Sequence, residues 1–104
     1  MARLAKELNT NISIQAASPT GSTQTITTSG SSAVITTAFG NNTRLVRIVC
    51  TEDAHVKFAA SPTATTSDPF MPANQVEYFR VEAGEKVAAI QSATAGTVFV
   101  TEME

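Results

Sequence analysis

Few side chains in this sequence are equipped for chemistry. His55 is the one histidine, with Glu52 and Asp53 close by. These are metal-ligating residue types, but a structural zinc site asks for four ligands, usually cysteine and histidine. His55 therefore reads as an exposed polar residue on the outer face of a strand. Cys50 is the one cysteine. As a nucleophile it would need an activating base; it shares a strand face with Val46 and Ile48 and reads as a small buried hydrophobe instead. Glu77, Glu82 and Glu85 could hydrolyse a glycoside if two of them faced each other across a cleft. They flank a glycine turn, and read as solvated hairpin charges that discourage edge-to-edge aggregation. There is no Gly-x-Ser-x-Gly elbow and no phosphate-cradling glycine loop. The expectation is a protein that is not an enzyme and takes no cofactor and no metal.

The elements that would position these residues are strands. Residues 76–90 read as strand, glycine turn, strand around Gly84. Strand signals recur along the rest of the chain at intervals near ten residues. Ile12 and Ile14 alternate with polar neighbours, and Thr23 to Thr28 is β-branched and polar, as an edge or solvent-facing strand would be. Ala33 to Phe39 follows, then Arg44 to Thr51, the most hydrophobic run. In that run Val46, Ile48 and Cys50 share one face while Leu45 and Val49, with Arg47 between them, share the other. Apolar residues on both faces mark a central strand or one covered by a neighbour. Ala54 to Ala60, Gln75 to Val81, Val87 to Gln91 and Thr97 to Met103 complete the series. Short, regularly spaced strands predict an all-β sandwich or barrel, and the spacing fits a small jelly roll or an immunoglobulin-like sandwich without separating them.

Residues 11–104 are expected to form that single domain. Residues 1–10 are expected to be a short N-terminal arm, in which the helical pattern over residues 2–8 amounts to about two turns, too short to be stable alone. The segment from Ser61 to Asn74 is long and holds Pro62, Pro69 and Pro72, which stiffen it and block ladder pairing. Between two of these prolines sit Phe70 and Met71, expected either to cap the core or to meet a partner. Tyr78 and Arg80 share one strand face and are candidate contact residues, since aromatic and arginine side chains are enriched at interface hot spots. Phe79 and Val81 share the opposite, core-facing side.

Composition narrows the partners. The chain has 104 residues and a net charge of -2, with 15% charged residues. That is well below the roughly 25% of ordinary soluble domains. Its seven Lys and Arg residues are scattered, so no basic stripe exists for nucleic acid. No apolar run approaches the ~20 residues of a membrane helix. A lone cysteine and no signal-peptide pattern point to folding in a reducing cytoplasm. Asn11-Ile12-Ser13 and Asn41-Asn42-Thr43 match the glycosylation sequon, as chance matches in that setting. Abundant Thr and Ser suit close contact with other proteins, because little charge must be desolvated.

From Thr43 onward the chain resembles a family of small β-structured proteins of tailed phages and prophages. The phrases that carry the resemblance are Arg44–Val49, Ala54–Phe58, Ser61–Thr65, Phe70–Ala73, Glu77–Val81 with Gly84–Ala88, and Gly96–Glu102. The resemblance implies a phage virion structural component. Small jelly-roll proteins of this size serve as capsid cement, sitting on the outside of the shell and clamping neighbouring subunits of the major capsid protein. It implies assembly in the bacterial host cytoplasm, a final location on the capsid surface, and a homo-oligomer, with a trimer favoured. Arg3 and Lys6 of the arm would pair with acidic shell residues, a charge match that sets register. The competing expectations are a tail, fibre or head–tail connector subunit, and a carbohydrate-binding module. The last is disfavoured by the absence of Trp and the single Tyr.

Overall fold

The computed structural model describes Pro19 and residues 23–103. Ile12, Ile14 and the N-terminal arm, with Arg3 and Lys6, lie outside the described residues. Eight strands follow: β1 (Gln24–Thr27), β2 (Ala33–Val34), β3 (Leu45–Cys50), β4 (Ala54–Ala59), β5 (Phe70–Met71), β6 (Glu77–Arg80), β7 (Lys86–Gln91) and β8 (Thr97–Met103). They form two four-stranded sheets, ordered β1-β8-β3-β6 and β2-β7-β4-β5, with every strand pair antiparallel. The expectation of an all-β sandwich is met. The pairing is nested: β1 with β8, β2 with β7, β3 with β6 and β4 with β5.

Alternation along each strand sorts side chains between core and surface. Val46, Ile48 and Cys50 of β3 turn inward beside Val98 and Val100 of β8 and Ile26 of β1; Ala54 and Val56 of β4, Met71 of β5 and Val87 and Ala89 of β7 meet them from the other sheet. Ile35, Phe39 and Val81 fill the core from the connections. Each such Val or Ile contributes roughly 1.5–3 kcal/mol by leaving water. As expected, β3 is central and β1 lies at an edge with Thr25 and Thr27 exposed.

Two expectations are corrected. The segment around Gly84 is not a hairpin, because β6 belongs to one sheet and β7 to the other. It is an arch between layers. Gly84 has φ 83° and sits third in a turn closed by Glu85 N–H donating to Glu82 O at 3.1 Å, where a type II turn needs a positive φ. Phe39 anchors the arch: its carbonyl accepts from Gly84 N–H at 3.0 Å and its N–H donates to Glu85 O at 2.8 Å. One of the flanking carboxylates serves this turn: Glu85 Oε1 accepts the Glu82 N–H at 2.9 Å. The second correction is β5, a two-residue strand inside the proline-rich segment. Phe70 and Met71 pair with His55 and Ala54, and the carbonyl of Pro69 accepts from Val56 N–H at 3.0 Å. The prolines restrict the strand to two residues without abolishing it.

The arch at the opposite end rests on Asp53. Its carboxylate accepts from Ala73 N–H at 2.7 Å and its carbonyl from Ser92 N–H at 3.1 Å. No helix among the described residues is long and apolar enough to cross a membrane.

Candidate interaction surface

The register of the first sheet lays out its outer face in rows. Thr25, Phe99 and Val49 stand side by side on β1, β8 and β3; Thr101, Arg47 and Tyr78 form the next row on β8, β3 and β6; Met103, Leu45 and Arg80 form the third. Directly opposed residues of an antiparallel sheet share a face, so these nine side chains lie on one side of the sheet, where Thr101 and Met103 are themselves buried. Val76, just before β6, adjoins it. Among the described residues the exposed large hydrophobics are Val34, Phe70, Val76, Tyr78 and Phe99. Three of the five belong to or border this face, with Tyr78 at 55% and Phe99 at 36% exposure. Threonines line its β1 edge: Thr25 and Thr27 are exposed, and Thr23 exchanges a 2.8 Å hydroxyl hydrogen bond with the buried Thr101.

The face is rigid for a reason the sequence supplies. Below it lie the β-branched inward residues of β3 and β8, and its corners are tied by hydrogen bonds. Gly40 N–H and the Thr43 hydroxyl both donate to Glu102 Oε1. At the far corner Thr28 N–H donates to Gly96 O at 2.8 Å and Gly96 N–H returns to Thr28 Oγ1 at 2.8 Å. Arg80 adds a surface ion pair with Glu82 at 3.1 Å, worth little in water.

The outer face of the second sheet is different. Phe70 and His55 meet edge to face with centroids 5.4 Å apart, and His55 Nδ1 lies 2.8 Å from the Asp68 carbonyl. The segment between β4 and β5 returns along this sheet: Ala64 N–H donates to Ser32 Oγ at 2.8 Å, and Pro62 and Ala64 are buried. Asp68 holds its turn by accepting from Thr65 N–H at 2.7 Å.

The predicted contact residues therefore separate. Tyr78 and Arg80 stand together on the first sheet's outer face. Phe70 is exposed on the second sheet at 49%, while its neighbour Met71 is fully buried; the pair does not form one surface, because successive strand residues point to opposite sides. Phe99, Val49 and Val76 were not singled out by sequence. The signal for Val49 was the apolar outer row of β3, and for Phe99 its place between two inward valines. Cys50 is buried, its thiol held above the ordinary value by burial first, then by the charges of Asp53 and Glu77. No group of three or more His, Cys, Asp and Glu residues arranged to hold a metal occurs among the described residues. No family model, no curated protein and no solved structure matches the chain.

Proposed function

We propose that this protein is a structural component of a phage virion, a decoration or cement protein that binds the major capsid protein on the outer shell. The observation that carries the reading is the outer face of the first sheet, where Tyr78, Phe99 and Val49 stand around Arg47 on a firmly tied sheet, with the exposed threonines of β1 along one edge. A face that carries Tyr78 and Phe99 beside Arg47 and Arg80, residue types enriched at interfaces, suits close protein contact. The nested strand order of the sandwich fits the winding of a jelly roll, the architecture of many capsid domains. The action is mechanical. A protein bound across subunit boundaries stabilises only the assembled shell and raises its resistance to internal DNA pressure. Contacts that are individually weak add up when repeated around a symmetric shell.

The test is the copy number relative to the major capsid protein, by quantitative mass spectrometry of purified virions, together with the heat stability of particles lacking this protein. A ratio near one to one, with DNA lost sooner on heating when the protein is missing, supports cement. A handful of copies transfers the protein to the tail or connector. Complete absence from virions overturns the structural reading.

A further inference from the structure

The free edge of the first sheet carries an arrangement the cement reading does not use. Strand β6 pairs Glu77, Tyr78, Phe79 and Arg80 with Ile48, Arg47, Val46 and Leu45. Hydrogen-bonded and non-hydrogen-bonded pairs alternate in an antiparallel ladder. Val81 N–H donates to Arg44 O at 2.9 Å, which fixes the phase. Phe79 and Glu77 then direct their main-chain groups to β3, while Tyr78 and Arg80 direct theirs to the open side. The other flank of β3 agrees. Thr51 N–H donates to Thr97 O at 2.9 Å, so Val49, Arg47 and Leu45 bond to β8, and Ile48 and Val46 are left for β6.

The two residues with free main-chain groups also have exposed side chains, Arg80 with only its surface ion pair to Glu82. Tyr78 is 55% exposed, and the Arg80 side chain is 76% exposed. The other edges offer less. Strands β2 and β5 hold two residues each. Strand β1 presents Thr25 and Thr27, which are alike and bring no complementary pair together.

We propose that β6 pairs antiparallel with β6 of a second copy of this chain, Tyr78 opposite the partner's Arg80 and Arg80 opposite the partner's Tyr78. Opposed residues must share a face, and here they must also have outward main-chain groups, which leaves three registers. Centring on Arg80 sets two guanidinium groups against each other. Centring on Tyr78 sets the two phenol rings against each other and each Arg80 beside the partner's Val76, so neither guanidinium meets a ring. The third register, centred on Phe79, places each guanidinium beside a phenol ring and Phe79 beside the partner's Phe79. It forms two hydrogen-bonded pairs, each exchanging two N–H···O bonds, and adds two cation–π contacts. The contact is isologous and closes as a dimer, departing from the trimer that the family resemblance implied. It joins the two first sheets into one continuous surface and presents the Phe99 and Val49 rows twice.

The proposal rests on the ladder and not on the capsid reading, so it is tested with the purified full chain in solution. Sedimentation equilibrium should show a monomer–dimer equilibrium, and hydrogen exchange at the Tyr78 and Arg80 amides should slow as concentration rises. Y78R puts arginine opposite arginine and should weaken the dimer about tenfold. Y78R combined with R80E restores an opposite-charge pair and should recover the affinity to within about threefold. A monomer at every concentration, a trimer as the smallest oligomer, or a dimer indifferent to Y78R would overturn it. The exchange measurement decides the matter on the unaltered chain if a variant folds poorly.

Discussion

Phe58 on β4 and Phe79 on β6 meet across the two sheets, with ring centroids 5.0 Å apart and planes tilted by 39°. Phe39, from the connection after β2, joins them at 6.5 Å from Phe58. Three segments that are distant in sequence thus converge on one aromatic cluster at the Gly84 end of the sandwich. Because Phe58 and Phe79 sit in opposite layers, their contact holds the β6 edge of one sheet to the interior of the other.

Phe79→Ala should therefore lower unfolding stability by about 2 kcal/mol, less than a fully buried Phe because Phe79 keeps some exposure. A double-mutant cycle with Phe58→Ala should return a coupling of about 1 kcal/mol. Urea denaturation measures both. A coupling near zero would mean that the rings only share a neighbourhood.

Gly96 is the tightest point of the other end. A Cβ added there would lie 2.8 Å from Glu52 Cβ, Glu52 Cγ and Thr51 Oγ1, in a corner where Thr97 N–H also donates to Thr51 Oγ1 at 2.9 Å. Glu52 is exposed and its Cγ has room to move, whereas its Cβ is fixed by the backbone of the turn. Gly96→Ala should cost about 1–3 kcal/mol, read as a lower denaturation midpoint with an unchanged slope.

These ends explain what was legible in the sequence and what was not. The alternation of Val46, Ile48 and Cys50 named the core face of β3, and the threonines of residues 23–28 named an edge, because both signals are local and have period two. The arch at Gly84 reads as a hairpin in the sequence because Glu82 to Glu85 makes the same turn in either case. What separates them is the long-range pairing of Phe39 with Gly84 and Glu85. Strand β5 was hidden for the same reason, since Pro69 and Pro72 speak locally against a ladder while Val56 supplies the partner from a distance. Tyr78 and Arg80 were placed by parity alone. Phe99 needed the register of β8 on β3, which no local pattern encodes.

Cys50 gives a pH dependence with a definite sign. Burial, with Asp53 and Glu77 nearby, keeps the folded thiol protonated above its ordinary value, while the unfolded thiol ionises near its ordinary value of about 8.5. Above that pH the unfolded state binds fewer protons than the folded state, so stability falls as pH rises, by at most about 1.4 kcal/mol per unit. Below it the contribution is fully present. The difference in stability between the native chain and Cys50→Ala, followed from pH 7 upward, should be flat and then turn against the native chain. Thiol reagents should label Cys50 slowly until the protein unfolds.

Phe70 and Met71 are neighbours with opposite surroundings, and substitution should separate them. Met71 is fully buried and packs with the core of both sheets; its carbonyl lies 3.7 Å from Cys50 Sγ. Met71→Ser removes buried methylenes, leaves a cavity and puts a hydroxyl in an apolar site, and should cost about 2–5 kcal/mol. Phe70 keeps half its surface in water and loses mainly its edge contact with His55 on substitution. Phe70→Ser should cost about 1 kcal/mol or less and leave the hydrogen bond between His55 and Asp68 in place. Thermal unfolding of the two single variants decides between this arrangement and a shared role. Equal losses would mean that Phe70 caps the core as Met71 does, while a stable Phe70→Ser chain that no longer joins particles would extend the proposed capsid contact to the second sheet.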